Sequence, residues 1–239
     1  MSVGANRQSL NKTGRSQERE DELRQLAGLG WLPDESLRKL AGVSKIERVR
    51  AHSTINISRD IVRFVLRGAV RLQYAAGARE RTVLSIASPG GLLSKLFFKD
   101  APKVRADALT DCTLLTLPRG PFLEAVIGTS NKDLDKAVNL IFGEALAMLA
   151  RYWQTSGARI TMRLAAVLLE LARKFGVADA RGTLIDLKLS QRDLAEMVGC
   201  SRQQIHALLE NLAEQRIVQR QGRRLILNAA EIKRLARRA

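Results

Sequence analysis

The stretch LSQRDLAEMVGCSRQQIHALLENLAEQ, residues 189–215, contains two helix starts too close together for anything but a sharp corner. Ser190 is followed three positions later by Asp193, and Ser201 by Gln204. Each pair has the spacing of a capping box, in which the two side chains satisfy free amides at a helix start reciprocally. Gly199 stands between the pairs, where a glycine can take the left-handed conformation that ends one helix and redirects the chain. The spacing predicts a tight helix-turn-helix. Ile205, Leu208, Leu209 and Leu212 form an apolar stripe on the second helix, and Gln203, His206, Ala207 and Glu210 lie around its other side.

A helix anchored along one stripe and polar at its outward amino end has the form that major-groove readout requires. Arg202 and Gln203 are the expected base readers, because arginine can bond two acceptors of guanine and glutamine can bond adenine in the same bidentate manner. His206 shares that face and joins them. Ser201, Gln204 and the amides at the helix start suit phosphate, as do Ser190 and Gln191 at the start of the preceding helix. Behind the second helix, Ile217-Val218 and Leu225-Ile226-Leu227 read as two strands around a basic turn, a wing with Arg220, Arg223 and Arg224 expected at phosphates. Packed helical corners resemble such a motif, so the wing and the charge must add weight. The formal net charge of +16 does so, since it attracts a polyanion. The excess basic residues are spread along the chain, so charge alone also fits mere solubility and does not locate a contact.

The rest of the chain divides by pattern. Residues 1–22, rich in polar residues with interspersed Gly and Ser, read as a flexible tail and lack the apolar core of a secretion signal. No apolar run reaches membrane-span length. Cys112 and Cys200 have no Cys-x-x-Cys spacing, so neither a disulfide framework nor a thiolate metal site is suggested and a reducing cytoplasm is the expected location. From 23 to 130, a helix at Pro33 to Ala41 precedes short strands at Ile61 to Leu66, Ala69 to Tyr74, Arg81 to Ile86, Val104 to Ala108 and Thr113 to Leu117. Turns at Gly68, Gly77, Pro89-Gly90-Gly91 and Pro118 separate them, which argues for an antiparallel roll. From 131 to 157 the period turns helical: Leu134, Val138, Ile141, Ala145, Met148 and Tyr152 recur at steps of four and three. On periodicity alone that seam fits either the roll of its own chain or a partner helix. Gly157 offers a break before 158–239, which opens with a helix at Ile160 to Phe175.

At residues 189–218 the sequence resembles the DNA-binding helices of the Crp/Fnr family, the cyclic-AMP receptor protein and its relatives, down to the Gly-Cys-Ser-Arg turn. "LGWLPDESLRKLAG", "FVLRGAVRLQ" and "ALTDCTLLTLPRGPFLEAV" resemble the family's leading helix, its glycine-marked strand turn and its last roll strands, so the likeness covers nearly the whole chain after residue 22. The resemblance implies an α+β chain: an amino-terminal cyclic-nucleotide-binding-like antiparallel β-roll, a long dimerisation helix and a carboxy-terminal winged helix-turn-helix. It implies a homodimeric transcription factor on double-stranded DNA with a near-palindromic operator, and it assigns the 134–152 seam to the dimer contact. RNA polymerase is a further partner the family brings into view.

Departures from the family pattern bear on sensing. Cyclic-nucleotide members hold the sugar and phosphate through a Gly-Glu-Leu segment and a later Arg-Ser or Arg-Thr pair. Here Gly91 is kept, Leu92 stands where the carboxylate belongs, and Pro102 and Lys103 fall near the arginine pair, with Arg105 available only in a gapped alignment. Thr155 and Ser156 resemble a hydroxyl pair that touches the ligand base in some members. Cyclic AMP is therefore not the expected effector, and the effector stays unnamed. No cofactor is expected: no cysteine precedes Cys112, against the four an iron-sulfur member needs, and His52 and Cys112 are lone residues of the kinds that ligate haem. Where the best-known reading pattern has Arg, Glu and Arg, this chain has Arg202, Gln203 and Ala207, which predicts a different operator. An enzyme reading lacks clustered histidines, a nucleophile elbow and a phosphate-cradling loop, so no catalytic or metal residue is assigned. The remaining rival is a sequence-independent nucleoid or RNA-binding protein.

Overall fold

The computed structural model describes residues 17–26, 28–75, 81–94, 104–128, 133, 135–140, 142–143 and 159–236. The chain is α+β. Its elements run α1 (17–25), α2 (Asp34–Val43), β1 (Lys45–Val49), β2 (Thr54–Ile55), β3 (Ile61–Arg67), β4 (Val70–Ala75), β5 (Arg81–Ala87), β6 (Leu92–Leu93), β7 (Val104–Ala108), β8 (Cys112–Pro118), α3 (Arg119–Ile127) and α4 (135–140). They continue as α5 (Ile160–Phe175), β9 (Gly176–Asp179), β10 (Gly182–Ile185), α6 (Gln191–Val198), α7 (Arg202–Glu214), β11 (Val218–Gln221), β12 (Arg224–Leu227) and α8 (Ala229–Ala236). The chain forms two compact units, Met1–Val70 with Ala87–Leu146, and Arg71–Ile86 with Ala147–Ala239.

The roll strands form one sheet of order β1–β8–β3–β6, with β2 paired to β7 in the same unit and β4 beside β5 in the other. In the β1–β8–β3–β6 sheet, Ile46 and Phe64 both pair across Leu115, and the β3–β8 register shifts between Val65 and Arg67. Val62 to Val65 are all buried, so β3 is covered on both faces. Arg63, the charged member of that run, bonds the Asn56 carbonyl at 2.6 Å and Glu47 at 3.2 Å, as a buried cation must. Beneath the sheet, Phe64 and Phe122 meet in a tilted pair at 5.9 Å, with Leu37, Leu40 and Leu117 in the same core. Gly68 has φ 90°, and a Cβ there would lie 2.4 Å from the Asp111 carbonyl, so both the turn and the close approach require glycine.

Several expectations change. The helix over 17–25 begins inside the stretch read as a flexible tail, because Leu23, Leu26 and Leu29 have a core to enter. Strands β1, β2 and β6 were not foreseen; β2 and β6 have two residues each, too few for an alternation to show. In α4, Ala137 is buried and Leu140 packs on the same core, while Val138 on another side is 44% exposed. Leu134, Ile141, Ala145, Met148, Tyr152, Thr155 and Ser156, expected at the dimer contact or the effector, lie outside the described residues.

In the second unit, α5 buries Leu164, Ala165, Leu168 and Leu171 along one face and packs against α8 and α6. The wing strands belong to a four-stranded antiparallel sheet of order β11–β12–β10–β9. Its β9–β10 hairpin, between α5 and the helix-turn-helix, was missed; the glycines at its start and turn, Gly176 and Gly182, were the available signal.

Candidate nucleic-acid interface

Both helix starts form as the spacing requires. At α6 the Ser190 hydroxyl accepts from the Asp193 amide at 3.1 Å, and the Asp193 carboxylate accepts from the Ser190 amide at 2.9 Å. At α7 the Ser201 hydroxyl accepts from the Gln204 amide at 3.1 Å, and the Gln204 side-chain oxygen accepts from the Ser201 amide at 2.9 Å. Between them Gly199 sits at φ 70°, ψ 51° and donates its amide to Ala195 at 2.9 Å, so the chain turns without a Cβ in the left-handed region. Leu194, Ala195 and Val198 of α6 and Ile205, Leu209 and Leu212 of α7 are buried, with Leu208 only partly so.

This packing leaves the amino end of α7 outward. Arg202, Gln203, His206, Ala207 and Glu210 are exposed. Arg202 and Gln203 have no side-chain partner among the described residues and can turn to an incoming ligand. The expected phosphate contacts fare differently. Ser190, Ser201 and Gln204 spend their side chains on the two capping boxes, which leaves the free amides of each first helical turn as the donors there. Gln191 reaches across to His206 at 3.1 Å.

The wing closes in a two-residue turn, Gly222 and Arg223, with Gln221 paired to Arg224 and Gly222 at φ 61°. Leu189, just before α6, donates its amide to the Arg223 carbonyl at 3.1 Å. Arg223 is exposed at the tip with no side-chain partner among the described residues. Arg220 instead pairs with Glu210 of α7 at 3.1 Å, and Arg224 with Asp186 at 2.9 Å. A groove of about 370 Å³ runs between α6, α7 and the wing, lined by Leu189, Leu194, Leu209 and Leu225 and by Arg192, Arg202, Arg220 and Arg223. An apolar groove with four guanidinium groups suits an anionic backbone.

The β4–β5 segment of the same unit meets α6. Arg71 forms an ion pair with Asp193 and lies 3.8 Å from Glu196, all three side chains between 15% and 17% exposed. Asp193 therefore serves a cap and a cation together. Sequence reading missed the pairings of Arg71 with Asp193 and Glu196, of Arg220 with Glu210 and of Arg224 with Asp186, because contacts made by packing carry no local signal.

Among the roll residues weighed for a nucleotide or a haem, Gly91, Arg105 and Cys112 make contacts within the roll. Gly91 occupies a turn, its amide on the Ser88 carbonyl at 2.8 Å. Arg105 is taken up by Asp107 at 2.8 Å and by Thr54 at 2.7 Å. Leu92 packs on the hydrophobic core. His52 is exposed in a turn, and Cys112 is buried, its thiol facing the carbonyls of Thr110 and Ala69. Burial raises the pKa of that thiol, which keeps it protonated. Among the described residues no group of three or more His, Cys, Asp or Glu could hold a metal. No helix among them is long and apolar enough to cross a membrane.

Comparison with known proteins yields consistent matches. Residues 162–236 match the Crp-like helix-turn-helix domain. The global nitrogen regulator of Nostoc sp. is 31% identical over 162 residues, covering 66% of this chain and 72% of the relative. The CRP-like cAMP-activated global transcriptional regulator of Mycobacterium tuberculosis is 23% identical over 190 residues, covering 75% and 80%. Among solved structures, FixK2 from Bradyrhizobium japonicum superposes with a TM-score of 0.69 at 22% identity, over 82% of this chain and 99% of that one. A CRP/FNR-family transcriptional regulator from Thermus thermophilus gives 0.65 at 23% identity, over 80% and 98%; these two structures share the fold.

Proposed function

This chain belongs to the Crp/Fnr family of transcriptional regulators and carries that family's helix-turn-helix DNA-binding domain, and from that premise we propose that it binds a near-palindromic operator as a cytoplasmic homodimer, without control by cyclic AMP. The observation that carries the reading is the pair of capping boxes around Gly199, which turns the amino end of α7 outward with Arg202 and Gln203 unengaged among the described residues. Arg202, Gln203 and His206 read bases; Arg220, Arg223, Arg224 and the first-turn amides of α6 and α7 hold phosphates. Val138 and Phe142, one helical turn apart and 44% and 41% exposed, support a dimer seam. Two half-sites about one helical turn apart then follow from twofold symmetry.

The proposal departs from the cAMP-activated mycobacterial relative because Leu92, partly buried, packs against the core and Arg105 already holds Asp107 and Thr54. No acceptor for a ribose hydroxyl stands at that position. The test is a gel shift of full-length protein on a selected operator against scrambled competitor at matched salt, with and without cyclic AMP, alongside light scattering for mass. We expect a dimer, preference for the operator and no response to the nucleotide. Equal competition by scrambled DNA overturns the reading in favour of a sequence-independent binder.

Arg223→Ala is expected to weaken binding alike on operator and scrambled duplex and to make the slope of log affinity against log salt shallower by about one. An unchanged slope would remove the wing tip from the interface.

A further inference from the structure

The side chains behind Arg202 and Gln203 form a chain of contacts from α6 across α7 to the wing. The amide nitrogen of Gln191 lies 3.1 Å from Nδ1 of His206. With the amide nitrogen turned to the ring, the amide donates and Nδ1 accepts, an orientation that places the proton of a neutral ring on Nε2. The competing partner for an Nδ1 proton is Glu210, whose oxygen stands 4.0 Å away, beyond hydrogen-bond reach. Glu210 is drawn to the wing by Arg220 at 3.1 Å. His206 is itself 58% exposed and lies three positions after Gln203, one turn further along the outward face of α7.

From this arrangement we propose that His206 is a specificity-determining residue that donates from Nε2 to a base acceptor, and that Gln191 is the positioning residue that fixes its tautomer. The proposal rests on α7 being the groove-facing helix and adds the chemistry of one further base pair. A ring that donates from Nε2 meets purine N7, guanine O6 or thymine O4, and opposes the exocyclic amine of cytosine. Guanine offers two adjacent acceptors and no donor on that edge, so guanine is the base selected. Gln191, which its place at the start of α6 alone would give to a phosphate, acts through the imidazole instead. Glu210, a carboxylate on the same helix, is neutralised by Arg220 and does not compete for the ring proton.

The test combines two measurements on the full-length chain. Heteronuclear NMR of the imidazole nitrogens in the DNA-free protein reads the tautomer directly. Binding-site selection is then run on the wild type, Gln191→Met, His206→Ala and His206→Gln. We expect the Nε2–H form in the wild type and mixed tautomers in Gln191→Met. Guanine discrimination at one base pair should fall about three- to ten-fold in Gln191→Met and His206→Ala, the worth of one neutral hydrogen bond, with other positions unchanged. His206→Gln should move that preference to adenine. A wild-type ring protonated at Nδ1, or a His206→Ala protein with the wild-type preference at every base pair, overturns this proposal alone. A wild type that selects no sequence overturns it together with the reading of the chain as a specific regulator.

Discussion

Asp193→Ala is expected to lower the stability of the second unit by about 2–4 kcal/mol, measured as a fall in the urea midpoint at unchanged slope. Two losses combine. The capping box of α6 goes, at about 1 kcal/mol, and Arg71 loses the nearer of its two carboxylates, Glu196 standing 3.8 Å away, for a guanidinium that is 17% exposed. Removing one partner of a mostly buried ion pair costs more than the pair contributes, because the remaining charge stays desolvated. Ser190→Ala is the control. It breaks the cap from the hydroxyl side and leaves the ion pair, so about 1 kcal/mol is expected. Equal midpoints for the two variants would show that Arg71 gains nothing from Asp193.

Arg202→Ala is expected to lower operator affinity by about 1–3 kcal/mol, or about 5- to 150-fold, and to relax selection at one base position. The side chain sits at the first position of α7, is exposed, and makes no side-chain hydrogen bond or ion pair with any other described residue. The loss is therefore expected in binding and not in folding. Thermal unfolding should match the wild type while gel-shift affinity falls. A variant that selects the wild-type operator with wild-type affinity would place the base contacts elsewhere.

What was legible in the sequence is what the chain encodes locally. Ser190 with Asp193, Ser201 with Gln204, and Gly199 between them specify two helix starts and one stop within a few residues, and all three form. The wing was legible for the same reason: Gly222 fixes the turn and the apolar residues on either side fix the strands. The roll's longer strands could be read from β-branched runs and glycines, although β3, buried on both faces, hides its pairing from any alternation rule. The state of each arginine was not legible. Arg220, Arg223 and Arg224 look alike in sequence, yet two are held by Glu210 and Asp186 and one stands free of side-chain partners among the described residues. Such pairings depend on how strands and helices pack, and residues 71 and 193 are brought together only by that packing. The helix over 17–25 was hidden differently: its polar residues resemble a solvated tail until Leu23, Leu26 and Leu29 find a core.

The bond from the Leu189 amide to the Arg223 carbonyl has a consequence for limited digestion with trypsin. A protease needs several consecutive residues extended in its cleft, and an arginine at an exposed hairpin tip would ordinarily be nicked early. Here the tip is tied to the segment before α6, and Arg220 and Arg224 lie in the β11–β12 ladder on either side of it. The scissile stretch cannot peel away until the sheet opens, so cleavage at the wing should report global unfolding of the unit and not local fraying.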